Sequence, residues 1–409
     1  MDRSCTYFSW WQRPDLCYEN GQLNFAGNSV QDLVTEYDTP TFFYSGQRII
    51  DNIQRLRAAL DASELRNRYT ILYAMKANRF RPLLQLLQKD GFVGIDACSP
   101  NEVAHAVKCG FQPTQISFTA GSLSQKDVAR LAKFDGLFMD CDSIHAIRTW
   151  GELKPGSDIG IRINPGIGVN REDNDRLQYA GDVTTKFGIY QEQFLDALEC
   201  AAQFNLKVTK IHFHTGCGFL TPQLKQLDEV IGACLWFVDH CPSVKKVNIG
   251  GGLGVPHVAE DSPLELSKWV AVLVKHFALR NIHLEMEPGE YIAKDAGILL
   301  LGKTFLETKR QTLFLGVDAG FNIAPEPAYY KLPFQPVPLI DPMALPADSL
   351  ETMTVVGNIN EALDVWYEDA LLPNMEDQDH LVLINSGAYS SSMASNHCMR
   401  GEFKEVLLD

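Results

Sequence analysis

The sequence predicts an α/β chain in which a (βα)8 barrel is followed by a smaller β-sheet domain. Three observations predict it. From residue 40 to about 290, short β-rich apolar runs alternate with helix-like segments, the order expected of repeated βα units around a parallel sheet. After about residue 296 the runs shorten and Pro-rich connections separate them, notably APEPAYYKLPFQPVPLIDPMALPAD (324–348). The length of 409 residues also exceeds what one hydrophobic core usually serves.

The strand candidates in order are TFFYS (41–45), TILYA (70–74), GFVGID (91–96), QISFT (115–119), GLFMD (136–140), DIGIRIN (158–164), VTKIHFH (208–214), VKKVNIG (244–250) and NIHLEME (281–287). These nine are one more than a closed eight-stranded barrel needs. Between them PLLQLLQK (82–89), NEVAHAVKCG (101–110) and QFLDALECAAQ (193–203) repeat apolar residues at three- and four-residue steps, as amphipathic helices require. Polar or glycine-bearing residues follow many strands: Lys76, Asn78, Asp96, Asn164, His214, Gly250 to Gly252 and Glu287. In a βα barrel those strand ends meet at one mouth, where active sites sit.

The formal charge of −15 argues against broad nucleic-acid or anionic-membrane contact, and a cationic substrate suits it. The opening MDRSCTYFSWWQRPDL has no apolar leader, and no apolar run approaches the roughly 20 residues of a membrane span. We expect a soluble, cytoplasmic protein. Ten cysteines without a CxxC pair or zinc spacing signal neither a disulfide framework nor a metal.

Each chemical motif has an ordinary reading beside the functional one. YAMKAN (73–78) places Lys76 just past a strand, where a mostly buried amine becomes nucleophilic toward an aldehyde; a lone lysine there is more often a solvated rim residue. NIGGGLGVP (248–256) offers backbone amides that can close on a phosphate, or a tight turn. In IHFHTGCG (211–218) we expect His212 and His214 on opposite faces of the strand, one flat on a cofactor ring and one buried on the helix side; standing alone, the motif reads rather as two satisfied core histidines. EMEPGEYI (285–292) sets Glu287 at a strand end, able to pair with a protonated pyridine nitrogen or to sit at the surface.

Taken in order, these motifs together with RINPG (162–166), TKFGI (185–189), VDAGFN (317–322) and GAYSSSMASN (387–396) resemble the fold-type III pyridoxal-phosphate decarboxylases of diaminopimelate, ornithine, arginine and carboxynorspermidine, the diaminopimelate enzymes most of all. The likeness runs from TPTFFYS near residue 39 to the C-terminus. It implies a TIM-type barrel of the alanine-racemase-like kind over 39–295, a C-terminal β domain over 296–409 that recruits residues 1–38, and a homodimer with shared active sites. It implies pyridoxal 5′-phosphate as cofactor, with Lys76 as the Schiff-base lysine, His214 stacked on the ring and Glu287 on the pyridine nitrogen. Asp96 and Arg162 match positions near the cofactor, Gly250, Gly251 and Gly252 the phosphate loop, Cys217 a phosphate-contacting serine, and Tyr389 a tyrosine reaching the phosphate from the other subunit.

Three departures bear on the substrate. Glu290 and Glu326 stand where the resemblance implies arginines, the second one gripping a distal carboxylate. A carboxylate facing a carboxylate is repelled, so a substrate with a cationic far end is expected, and Glu326→Arg is expected to weaken its use, unless both glutamates face solvent. In VVGNINEALDVW (355–366), Asn360 replaces the cysteine that the resemblance assigns to reprotonating Cα, and it cannot donate a proton in that way. Glu361 and Asp364 remain to bind a substrate ammonium. A catalytically silent regulator and a racemase or epimerase are the alternatives to decarboxylation.

Overall fold

The computed structural model describes residues 7–171, 174, 176, 184–214, 216–376 and 379–409. The acidic segment NREDNDRLQYAGDVTT (170–185), whose place over the pocket the sequence does not fix, lies mostly outside them. The chain forms two compact units. One comprises Ile53–Gly254 and Ser262–Tyr291, the other Met1–Asn52, Val255–Asp261 and Ile292–Asp409.

The first unit is a closed barrel of eight parallel strands, β1 (Tyr69–Ala74), β2 (Val93–Ala97), β3 (Ile116–Thr119), β4 (Phe138–Cys141), β5 (Asp158–Arg162), β6 (Lys207–His212), β7 (Lys246–Asn248) and β8 (His283–Met286), closed by pairing of β8 with β1. A strand covered by helices outside and by the other strands' side chains inside is buried on both faces, which is why these runs read as apolar blocks rather than alternations. All five residues of β2 are buried.

Local chemistry marks the bounds of two of the connecting helices. The helix Arg81–Asp90 takes Pro82 in its first turn and stops at Gly91, whose φ of 76° suits a left-handed cap. Pro100–Lys108 begins where the Ser99 hydroxyl accepts from Glu102 N at 3.1 Å. Glu102 reaches back in turn and accepts from Cys98 N at 2.6 Å, fixing the loop that leaves β2.

The second unit is built on a sheet in the order Pro336–Pro338, His380–Leu383, Gly297–Lys309, Thr312–Val317, Leu350–Val356, Val365–Pro373. The strand Thr41–Ser45 belongs here, antiparallel to Gly297–Lys309 and parallel to Lys404–Leu408. This corrects the placing of TFFYS in the barrel and removes the ninth strand. All five of its residues are buried, and periodicity cannot distinguish a doubly buried sheet strand from a barrel strand. The N-terminal residues Trp11, Leu16, Leu23, Phe25, Val30 and Leu33 pack with Phe43, Ile298, Leu300 and Val382 into one core.

Candidate active site

Beyond the C-terminal ends of the barrel strands lies a pocket of about 230 Å³, lined by Lys76, Asp96, Cys98, Thr119, Ala120, Gly121, Arg162, Phe187, His212, His214 and Glu287. Lys76 lies two residues past β1, and its Nζ is 3.7 Å from Oδ2 of Asp96 and 3.8 Å from Sγ of Cys98. Its side chain keeps 40% exposure, so the expectation of a mostly buried amine fails: the lysine opens onto the pocket. Asp96 is buried, and its Oδ1 has no hydrogen-bond partner among the described residues. Burial first, and the charge of Glu287 second, push its carboxyl up to about 7 against the pull of Lys76.

His212 and His214 both line the pocket, contrary to the opposite-face expectation, which was wrong in its premise. Residues two apart on a strand share a face. His212 Nε2 is 3.2 Å from the Glu287 carboxylate, and burial depresses its imidazole to about 3, so the ring is neutral and Nε2 donates. Asn248 Nδ2 donates to Glu287 Oε1 at 2.6 Å. Glu287 is therefore oriented from two sides, although burial raises its pKa.

His214 Nδ1 accepts from Gly251 N at 3.2 Å, and its Nε2 lies 3.6 Å from Cys217 Sγ. The Cys217 thiol is pushed up to about 12 by burial and then by Glu290. Gly250 has φ 70°, and a Cβ there would meet Phe213 O at 2.6 Å. A Cβ on Gly251 would collide with Glu287 O. Only glycine lets the loop pack this closely against the residues that follow β6 and β8. Arg162 ends β5, buried, with Cζ 4.6 Å from the Phe187 ring centroid. Glu290 is buried, which removes the solvent-facing reading.

The other predicted residues belong to the β unit. Tyr389 is partly buried at φ 54°. Asn360 and Glu361 are exposed, Glu361 Oε1 lying 3.4 Å from His397 Nε2. Asp364 is buried and accepts from Phe321 N at 2.7 Å and Ile359 N at 2.6 Å, a loop-shaping role in place of a substrate contact. Glu326 is also buried, not solvent-facing, and is ion-paired with Lys294, so its charge is compensated. Sequence reasoning missed Cys98, Gly121, Phe187 and the buried Lys210. The DACSP run directly after β2 was the available signal for Cys98.

The residues present fit pyridoxal phosphate: an amine beside a buried carboxylate, and a neutral imidazole paired with a second carboxylate in the same pocket. A barrel with this site defines a pyridoxal-phosphate enzyme. The family of the pyridoxal-dependent decarboxylase pyridoxal binding domain matches residues 47–294. A diaminopimelate decarboxylase of Methanothermobacter thermautotrophicus is 30% identical, over 97% of this chain and 92% of its own. The Helicobacter pylori diaminopimelate decarboxylase complexed with L-lysine superposes with a TM-score of 0.82 at 24% identity, covering 93% and 94% of the two chains. The Paramecium bursaria Chlorella virus arginine decarboxylase gives 0.77 at 19%, covering 92% and 99%. The chain belongs to the pyridoxal-dependent decarboxylases, and it is a pyridoxal-phosphate-dependent amino-acid carboxy-lyase. Among the described residues no helix is long and apolar enough to cross a membrane.

Proposed function

We propose that this decarboxylase acts on an amino acid with a cationic distal group, as a homodimer. The observation that carries the chemistry is Lys76 beside Asp96 in a pocket that His212 and Glu287 also line, with Asn248 holding Glu287 from behind. Bound pyridoxal phosphate supplies the electron sink for the pair left when CO₂ departs. Lys76 would hold its aldehyde carbon, Glu287 its ring nitrogen, His214 its ring face, and the Gly250 to Gly252 loop with Arg162 and Cys217 its phosphate end. Two groups keep a proton near Lys76 Nζ for return to Cα: Asp96, raised to about 7, and the Cys98 thiol, which burial and Asp96 push up. Asn360 carries no such proton.

The cationic preference is supported by the charge of −15 and by the exposed Glu361 carboxylate beside Asn360. Glu326 no longer contributes to it, because Lys294 already neutralises that group. The dimer is supported by large apolar side chains left exposed on the β unit: Leu363, Tyr329 and Met399 are 45%, 51% and 86% exposed. Tyr389 would act across that interface. A second reading, diaminopimelate itself, is favoured by the 30% identical relative. CO₂ release by the loaded protein from L-ornithine, L-lysine and L-arginine, compared with meso-diaminopimelate, tests the choice. Release from a cationic substrate is expected, and release from diaminopimelate alone overturns the preference.

A further inference from the structure

Beneath the pocket the barrel holds a second ionic cluster that the reaction as described does not use. Lys210 and His212 on β6, Lys246 and Asn248 on β7, and Glu285 and Glu287 at β8 are each two residues apart, and a period of two sets each pair on one face. Three strands thereby deliver two layers. The upper layer is the His212–Glu287–Asn248 cluster. In the lower one, Lys210 Nζ lies 3.0 Å from Glu285 Oε2, 2.7 Å from Asp140 Oδ2 on β4 and 2.9 Å from Ser117 Oγ on β3. Lys246 holds the other Glu285 oxygen at 2.8 Å. The Lys210 side chain is 1% exposed, and that of Asp140 is fully buried.

We propose that Lys210 is a positioning residue for the decarboxylation, its buried ammonium keeping the carboxylate of Glu287 charged one layer above. The inference rests on the reading of Glu287 as the partner of the cofactor's ring nitrogen. With Lys210 present the lower layer balances two cations, Lys210 and Lys246, against two carboxylates, Asp140 and Glu285. Without it, one net negative charge lies one layer below Glu287, where little water screens it. The groups facing Glu287 are His212 and Asn248 at contact, with Lys76, Lys210 and Arg162 attracting its charge and Asp96 repelling it. Burial acts to lower the Lys210 pKa, but Asp140 and Glu285 carry it above the ordinary lysine value, so the ammonium persists across the working range.

The test uses Lys210→Met, Asp140→Asn and the double variant, each checked for folding by near-UV circular dichroism. Two quantities are read against pH: kcat/KM, and, without turnover, the Kd for pyridoxal phosphate by fluorescence quenching. In Lys210→Met the acid limb of both should move up by about one pH unit, in Asp140→Asn it should move down, and the double variant should return toward the wild type. Opposite signs matter because a packing defect would move both single variants the same way. Should Lys210→Met fail to fold, Asp140→Asn and the double variant still read the sign. Limbs that stay put, or that move together, overturn the proposal. Glu287→Gln separates the two levels: if it leaves the limb in place the reading of Glu287 falls and Lys210 with it, whereas a limb that Glu287→Gln abolishes and the lower-layer variants leave unmoved overturns Lys210 alone.

Discussion

The Nζ of Lys76 lies 3.7 Å from Oδ2 of Asp96, a solvent-open amine set against a carboxyl that is almost wholly buried. Burial, more than any partner, holds that carboxyl up to about 7. Between the ordinary aspartate value near 4 and about 7, the native protein therefore keeps a proton that the unfolded chain has lost, and stability falls as pH rises through that window. Without cofactor, the wild type should lose stability relative to Asp96→Asn there, by up to about 1.4 kcal/mol per pH unit. Urea unfolding across the window checks it; parallel pH curves for the two proteins contradict it. Asp96→Asn should meanwhile slow turnover on the order of a hundredfold.

Glu287 is held by His212 at 3.2 Å and Asn248 at 2.6 Å. Glu287→Gln removes the charge while keeping the shape. It should lower kcat on the order of a hundredfold or more with a smaller change in KM, because the lost interaction strengthens as electrons move into the ring. Steady-state kinetics read the split, and a change confined to KM would remove Glu287 from the chemistry.

Gly251→Ala places a methyl group against the Glu287 carbonyl oxygen. Overpacking of this kind costs about 1–3 kcal/mol, and it displaces the backbone amide that faces His214. Cofactor affinity should weaken by roughly tenfold or more together with a lower unfolding temperature. Equilibrium titration with pyridoxal phosphate measures the first.

Lys294 and Glu326 form a buried ion pair, with Lys294 Nζ also donating to Ala388 O at 3.3 Å. Removing one partner, as in Lys294→Met or Glu326→Gln, should cost about 3–5 kcal/mol, and removing both should recover much of it. Glu326→Arg, expected from sequence to alter substrate choice, instead puts two cations together in a buried site and should destabilise the β unit before it changes specificity. Unfolding of the two single variants and the double variant closes the cycle.

The barrel was legible because its strands are apolar blocks separated by amphipathic helices; Lys76, Asp96, His214 and Glu287 stood out as polar residues at strand ends, each with an ordinary reading beside it, and Arg162 came from the resemblance, and all five line the pocket. Thr41–Ser45 was misassigned because its buried run carries no mark of which sheet it joins. The histidine pair was misread through a slip in strand period, not through lack of signal. Pairings across distant sequence were the true blind spot. Nothing near Glu326 announces Lys294 as its partner, and nothing near Lys210 announces Asp140, 70 residues earlier. Asp364, taken for a substrate ligand, spends its carboxylate on two backbone amides that only the fold brings to it.

The most direct test of the site is to reduce the cofactor-loaded protein with borohydride and map the labelled peptide by mass spectrometry. The phosphopyridoxyl mass is expected on Lys76 and is expected to be absent from Lys76→Ala. Label on any other lysine, or label that survives Lys76→Ala at full level, would contradict it.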